Sequence, residues 1–171
     1  MRSWRVSESP NRKHPVTATD RAVELVTTAA QAAADKLAHN IIAFDVSEVL
    51  AITDAFVIAS APNDRQVKAI ADAIEEQLSA QHQTKPVRRE GEREGRWILL
   101  DFLDIVVHVQ HSEERSYYGL ERLWKDCPEI ALPEDAVASR NRPEDEQFVR
   151  EPNEFDHVEA VLQAEADRSL R

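Results

Sequence analysis

Asp101 and Asp104, in the stretch D-F-L-D, are the first residues of this chain whose types and spacing could do chemistry. With Asp54 as a third carboxylate they would make the acidic ligand set of a metal-dependent phosphoryl-transfer enzyme. Along one continuous strand, residues three apart point to opposite faces, so the pair meets only if the chain turns between them. The simpler reading is two acids flanking a turn. His108 and His111 form H-x-x-H; on a helix they would share a face, but on a strand they point to opposite sides, which argues against a zinc site. Cys127 precedes Pro128 and lies near acids, which raise a thiol pKa rather than activate it. The glycines are Gly91, Gly95 and Gly119, so neither G-x-G-x-x-G nor a P-loop can be written. The residues therefore assign no catalytic group, no metal ligand and no cofactor.

The elements that must position these groups are two apolar runs, 97–101 and 104–111, each of strand length and rich in Ile, Leu and Val. They predict an antiparallel hairpin turning at Phe102-Leu103. Neither residue favours the positive φ of a two-residue turn, so a slightly longer turn stays open. Counting outward from a two-residue turn pairs Asp101 with Asp104, Leu99 with Val106 and Trp97 with His108, all on one amphipathic face. The other face carries Ile98, Leu100, Ile105, Val107 and Val109. It must be core, because wetting it would forfeit roughly 1.5–3 kcal/mol per large side chain. The amphipathic face reads as open or covered by a partner.

A helix follows over residues 113–124 and stops before Pro128. Its spacing places Tyr117 and Trp124 toward the core, whereas Tyr118 fits core or interface equally. Trp97 is the better interface residue, because its strand face is the mixed one and buried Trp is a frequent hot spot. Upstream, Thr19 caps a helix with Ala22, Val26, Ala29, Ala33 and Leu37 on one stripe. Residues 41–46 and 55–60 read as strands. Asn63, with Gln66 at the capping-box position, opens a second helix with Val67, Ile70, Ala71, Ile74 and Leu78 inward. Residues 86–89 make a short edge strand. The order is α-β-β-α-β-β-β-α, an α/β fold with a mixed β-sheet flanked by helices.

Residues 1–16 read as a disordered leader. The composition changes after Leu132. Pro133, Pro143 and Pro152 among dense acids suggest an unpacked tail over residues 133–171. Phe155, Val158, Val161 and Leu162 would give it either a short docked helix or a frayed end. The chain has 171 residues and a formal net charge of −11, which argues against nucleic acid as the direct partner and suits a basic protein. No apolar run approaches the ~20 residues that span a bilayer. The single cysteine allows no intrachain disulfide and fits the cytoplasm.

Six ordered segments then carry a specific likeness: I-I-A-F-D-V at 41–46, I-T-D-A-F-V-I at 52–58, S-A-P-N-D-R-Q-V at 60–67, W-I-L-L-D at 97–101, D-I-V-V-H-V at 104–109 and R-S-Y-Y-G-L-E-R-L-W at 115–124. Through them residues 19–132 resemble the ribosomal silencing factor family, also called the Iojap family. The resemblance implies a nucleotidyltransferase-like α/β sandwich without catalytic machinery. It implies binding to a protein of the large ribosomal subunit at the intersubunit face, which blocks joining of the small subunit and lowers translation when nutrients are scarce. Organelle relatives assist large-subunit assembly. Where active nucleotidyltransferases carry a Gly-Ser phosphate loop, this chain has Ser60-Ala61-Pro62-Asn63. One departure from the family pattern is Leu103, where a D-x-G-D turn usually has glycine. The expected docking patch is Trp97, Leu99, Asp101 and Asp104, bordered by Tyr118 and Glu121, and a homodimer is expected in the free protein, with overlap of the two surfaces left open. The rival expectation is a residual metal-dependent nucleotidyltransferase using Asp54, Asp101 and Asp104.

Overall fold

A computed structural model describes residues 15–141; the leader expected over residues 1–16 falls mostly outside that range, and the expected helix around Phe155 wholly so. Two helices open the α/β pattern at predictable signals. The Thr19 hydroxyl accepts the Ala22 N–H and starts α1 (Asp20–Asp35), and the Asn63 side chain accepts the Gln66 N–H and starts α2 (Asp64–His82). Gln66 does not reach back to close a capping box. Its amide donates instead to the carbonyls of Lys36 and Leu37, tying the start of α2 to the end of α1.

The strands are β1 (His39–Asp45), β2 (Ala55–Ala61), β3 (Arg88–Glu90), β4 (Trp97–Asp101) and β5 (Ile105–His111), in sheet order β1-β2-β5-β4-β3. Only β2 and β5 run parallel, and α2 lies in the crossover between them. One sheet face presents Ile41, Ala43, Val57, Ala59, Ile98, Leu100, Ile105, Val107 and Val109 to the buried stripes of α1 and α2. In α1 that stripe includes Leu25, while Leu37, expected on it, is exposed because the helix ends at Asp35 and Leu37 takes φ 60°. The alanines of α1 let the helix approach the sheet closely.

The predicted helix over residues 113–124 is broken. The first piece, α3 (Ser112–Tyr118), ends at Gly119 with φ 54°, and α4 (Leu120–Leu123) follows. Together with the Trp124–Cys127 segment, these pieces cover part of the second sheet face. There a smaller core forms around Phe44, Val46 and Ile58, with Phe56, Leu120, Trp124 and Cys127 packed on it.

The segment after Leu132, read from composition as unpacked, folds as far as Asn141. Here α5 (Glu134–Ala138) and a short 3-10 turn (Ser139–Asn141) bury Ala136 and Ser139. They close the free edge of β1. The Ser139 hydroxyl accepts the Ile41 N–H at 3.1 Å, the Arg140 Nε donates to the Ile41 carbonyl at 2.9 Å, and Ile130 donates to Ala43 at 2.9 Å. Among the described residues no helix is long and apolar enough to cross a membrane.

Candidate interaction surface

The β4–β5 hairpin differs from its expected register. Trp97 pairs with Gln110, Leu99 with His108 and Asp101 with Val106. Four residues, Phe102 to Ile105, lie between the paired Asp101 and Val106, two more than the two-residue count, with Leu103 at φ 69°. The pairing moves by two positions, and a shift of two preserves which face each side chain takes. Trp97, Leu99 and Asp101 therefore still share the amphipathic face, while Ile98 and Leu100 are fully buried on the other.

Asp104 is the exception. It leaves the face and accepts from Arg21 of α1 at 3.2 Å. Each of the three acids of the rival reading has a partner of its own. Asp54 accepts the Thr19 N–H and hydroxyl at 3.1 and 2.8 Å. Asp101 pairs with Arg88 at 3.5 Å and accepts the Leu103 N–H at 2.9 Å. Among the described residues no three His, Cys, Asp or Glu side chains are grouped to hold a metal. His111 turns away from His108 and its Nδ1 accepts the Glu113 N–H, opening α3. Burial and the nearby Asp45 and Asp126 raise the Cys127 thiol pKa.

What the face does assemble is a run of aromatic rings. Trp124 meets Phe56 edge-on at 5.1 Å, Phe56 meets His108 at 5.4 Å, His108 meets Trp97 at 5.8 Å, Trp97 meets Tyr118 at 5.0 Å, and Tyr118 meets Tyr117 at 5.0 Å. The run climbs from the second core to solvent. Trp124 and Trp97 are half-buried, Tyr118 is 51% exposed and Tyr117 is 79% exposed. Tyr117 was expected in the core; the break at Gly119 interrupts the helical stripe that placed it there. Neither Trp97 nor Leu99 is sealed. Glu121 borders the run, held by Arg115, whose guanidinium also reaches the Ser60 hydroxyl at 3.4 Å.

Two buried groups lie under this run: His108, which the sequence placed on this face, and Gln110, which it did not single out. Burial holds the His108 pKa down to about 4, so its imidazole is neutral at physiological pH. Gln110, fully buried between Trp97 and Ser60 in the ladder, has an amide with neither donor nor acceptor paired. The alternation of β5 places both on this face, but only the covering helix makes them buried.

Comparison with known proteins agrees with this architecture. The family model described as "Ribosomal silencing factor during starvation" matches residues 19–157. A ribosomal silencing factor of Bacillus subtilis is 42% identical over 61% of this chain and 87% of its own length. One from Halalkalibacterium halodurans is 40% identical over 64% and 92%. A chloroplastic Iojap protein of Zea mays is 34% identical over 62% and 46%. A crystal structure of a Chromobacterium violaceum protein, 33% identical, aligns with a TM-score of 0.57 over 60% of this chain and 84% of that one. With the matched residues spanning both helical layers, the sheet and the aromatic run, this chain belongs to the ribosomal silencing factor family.

Proposed function

We propose that this chain is a non-enzymatic translational repressor of the cytoplasm. Its Trp97 face docks on a basic protein of the large ribosomal subunit at the intersubunit surface. The bound chain then stands where the small subunit would join, and translation falls under nutrient limitation. Such a block needs affinity and bulk and no bond-making step. Trp97, Leu99 and Tyr118 make the apolar contact, and Asp101 and Glu121 form its rim. Asp104, tied to Arg21, lies outside it.

One observation carries this reading: the aromatic run ends in solvent at Tyr118 and Tyr117, beside half-exposed Trp97. Aromatic side chains anchored from below and open above are the groups that dominate protein interfaces. The net charge of −11 favours a cationic partner and makes encounter sensitive to salt.

The test is co-sedimentation with isolated large ribosomal subunits, using Trp97→Ala and Tyr118→Ala proteins whose melting curves show them folded. Truncating a hot-spot aromatic costs ~2 kcal/mol or more, so both variants leave the ribosomal pellet at concentrations where the parent saturates it. Undiminished pelleting of both folded variants rejects the face.

A further inference from the structure

Leu103, at the tip of the β4–β5 hairpin, combines two unfavourable properties. Its backbone sits at φ 69°, and its side chain is 59% exposed. A Cβ in that left-handed region crowds the following carbonyl, and glycine or asparagine would relieve the strain. The turn itself has no use for the isobutyl group. It is closed by the Asp101 carboxylate on the Leu103 N–H, by the Phe102 N–H on the Ile105 carbonyl at 2.9 Å, and by the buried ring of Phe102.

Other exposed aliphatics lie on segments fastened to this turn. The Asp54 N–H and the Thr53 hydroxyl both donate to the Asp104 carbonyl, at 3.0 and 3.1 Å, and the Val87 N–H donates to the Asp101 carbonyl at 2.8 Å. Ile52, 83% exposed, precedes Thr53, and Val87 itself is 61% exposed. The acids around the tip are answered from within the chain, Asp101 by Arg88 and Asp104 by Arg21. The tip therefore exposes aliphatic side chains, and its acids are already paired.

We propose that Leu103 is a docking residue. The binding face runs from Tyr118 along β4 to the hairpin tip, where Leu103, flanked by Ile52 and Val87, presses on an apolar spot of the same basic ribosomal protein. This inference rests on the docking face proposed above. Continuity identifies the occupant. Trp97, Leu99 and Asp101 alternate along one face of β4, and the next residues of the chain are the turn. Five residues of strand span only ~17 Å. A standard interface of ~800 Å² per partner is wider than that, so a partner seated on Trp97 and Leu99 reaches the tip.

The experiment compares Leu103→Gly, Leu103→Asn and Trp97→Ala with the parent, measuring Kd for isolated large ribosomal subunits and the thermal midpoint of each protein. The expected result at position 103 is a split between the two readouts: binding about tenfold weaker, which is ~1.4 kcal/mol, with an unchanged or raised midpoint, because the strain is gone. A merely structural leucine would lower both together, and that result overturns the proposal. If Trp97→Ala weakens binding while both position 103 variants bind as the parent does, the tip fails and the Trp97 face stands. If the position 103 variants weaken binding and Trp97→Ala does not, the Trp97 face fails, and with it the continuous face proposed here, although the tip itself touches the subunit. If none of the three weakens binding, both fail.

Discussion

The indole N–H of Trp97 donates to Nδ1 of His108 across 3.1 Å, diagonally over the β4–β5 ladder. This bond requires a neutral imidazole, with its proton on Nε2. The same His108 meets Phe56 edge-on, so one buried ring joins the inner core to the outward-facing indole.

That relationship sets a pH dependence. Burial holds the folded His108 pKa at about 4, below the ordinary 6.5 of an unfolded histidine. The unfolded chain therefore takes up a proton first as pH falls. The contribution of neutral His108 is fully present above 6.5 and is lost progressively between 6.5 and about 4. A shift of this size corresponds to at most ~3 kcal/mol. Denaturant midpoints measured from pH 7 to 4 should decline more steeply in the parent than in His108→Asn, whose amide oxygen keeps an acceptor near Nδ1 without titrating. Parallel declines in the two proteins would reject this assignment.

Local signals in the sequence were sufficient for most of the frame. Thr19 and Asn63 cap their helices through hydrogen bonds spanning three residues, and β-branched runs mark the central strands, so these elements were legible. What escaped depends on partners distant in the chain. Asp104 pairs with Arg21, 83 residues away. Ser139 and Arg140 hold β1 through Ile41, 98 and 99 residues away, which composition after Leu132 could not reveal. The hairpin register was missed because Leu103 adopts a φ that its residue type disfavours. The faces survived that error because a two-residue shift keeps the alternation. The aromatic run was legible only in part: Trp97 and Tyr118 stood out, but Phe56 reaches them through His108, a contact that needs the β2–β5 pairing.

Asp45 should matter more to stability than its place at a strand end suggests. The residue is 3% exposed, and its carboxylate accepts from the Ser47 hydroxyl and N–H and from the Ala18 and Thr17 N–H groups. Burial alone would raise its pKa, but these bonds outweigh burial and hold it below the ordinary 3.8. The stability it contributes is present above pH 3.8 and is lost as pH falls through the folded value. Asp45→Asn should cost roughly 1–3 kcal/mol at neutral pH, because an amide replaces one acceptor oxygen with a donor facing other donors. Amide hydrogen exchange should speed up at Thr17 and Ala18, which lead into α1, before it does within the helix. Unchanged protection there would show that the segment is held by other contacts.

Ser139→Ala tests whether the chain beyond Leu132 is part of the folded domain. The serine hydroxyl accepts the buried Ile41 N–H and donates to the Ala136 carbonyl. Removing it leaves a buried N–H without its acceptor, a cost of roughly 1–3 kcal/mol. The expected signature is a lower denaturant midpoint with an unchanged slope, as for loss of stability within one cooperative unit. If the midpoint does not move, α5 does not contribute to the cooperative fold.

An aromatic face open to water should also drive self-association of the free protein. Tyr117, Tyr118 and Leu123 are all more than half exposed, and half-buried Trp97 packs against Tyr118. Contiguous apolar surface of this kind is costly to leave bare, and a second copy can cover it. Light scattering at rising concentration should therefore show the parent passing from monomer to dimer, with Tyr118→Ala displaced toward monomer at every concentration. Because one face would serve both roles, adding large ribosomal subunits should deplete the dimer and not form a complex containing it. A chain that remains monomeric at high concentration would disprove the dimer. A dimer that binds the subunit intact would place its interface elsewhere than on Trp97 and Tyr118.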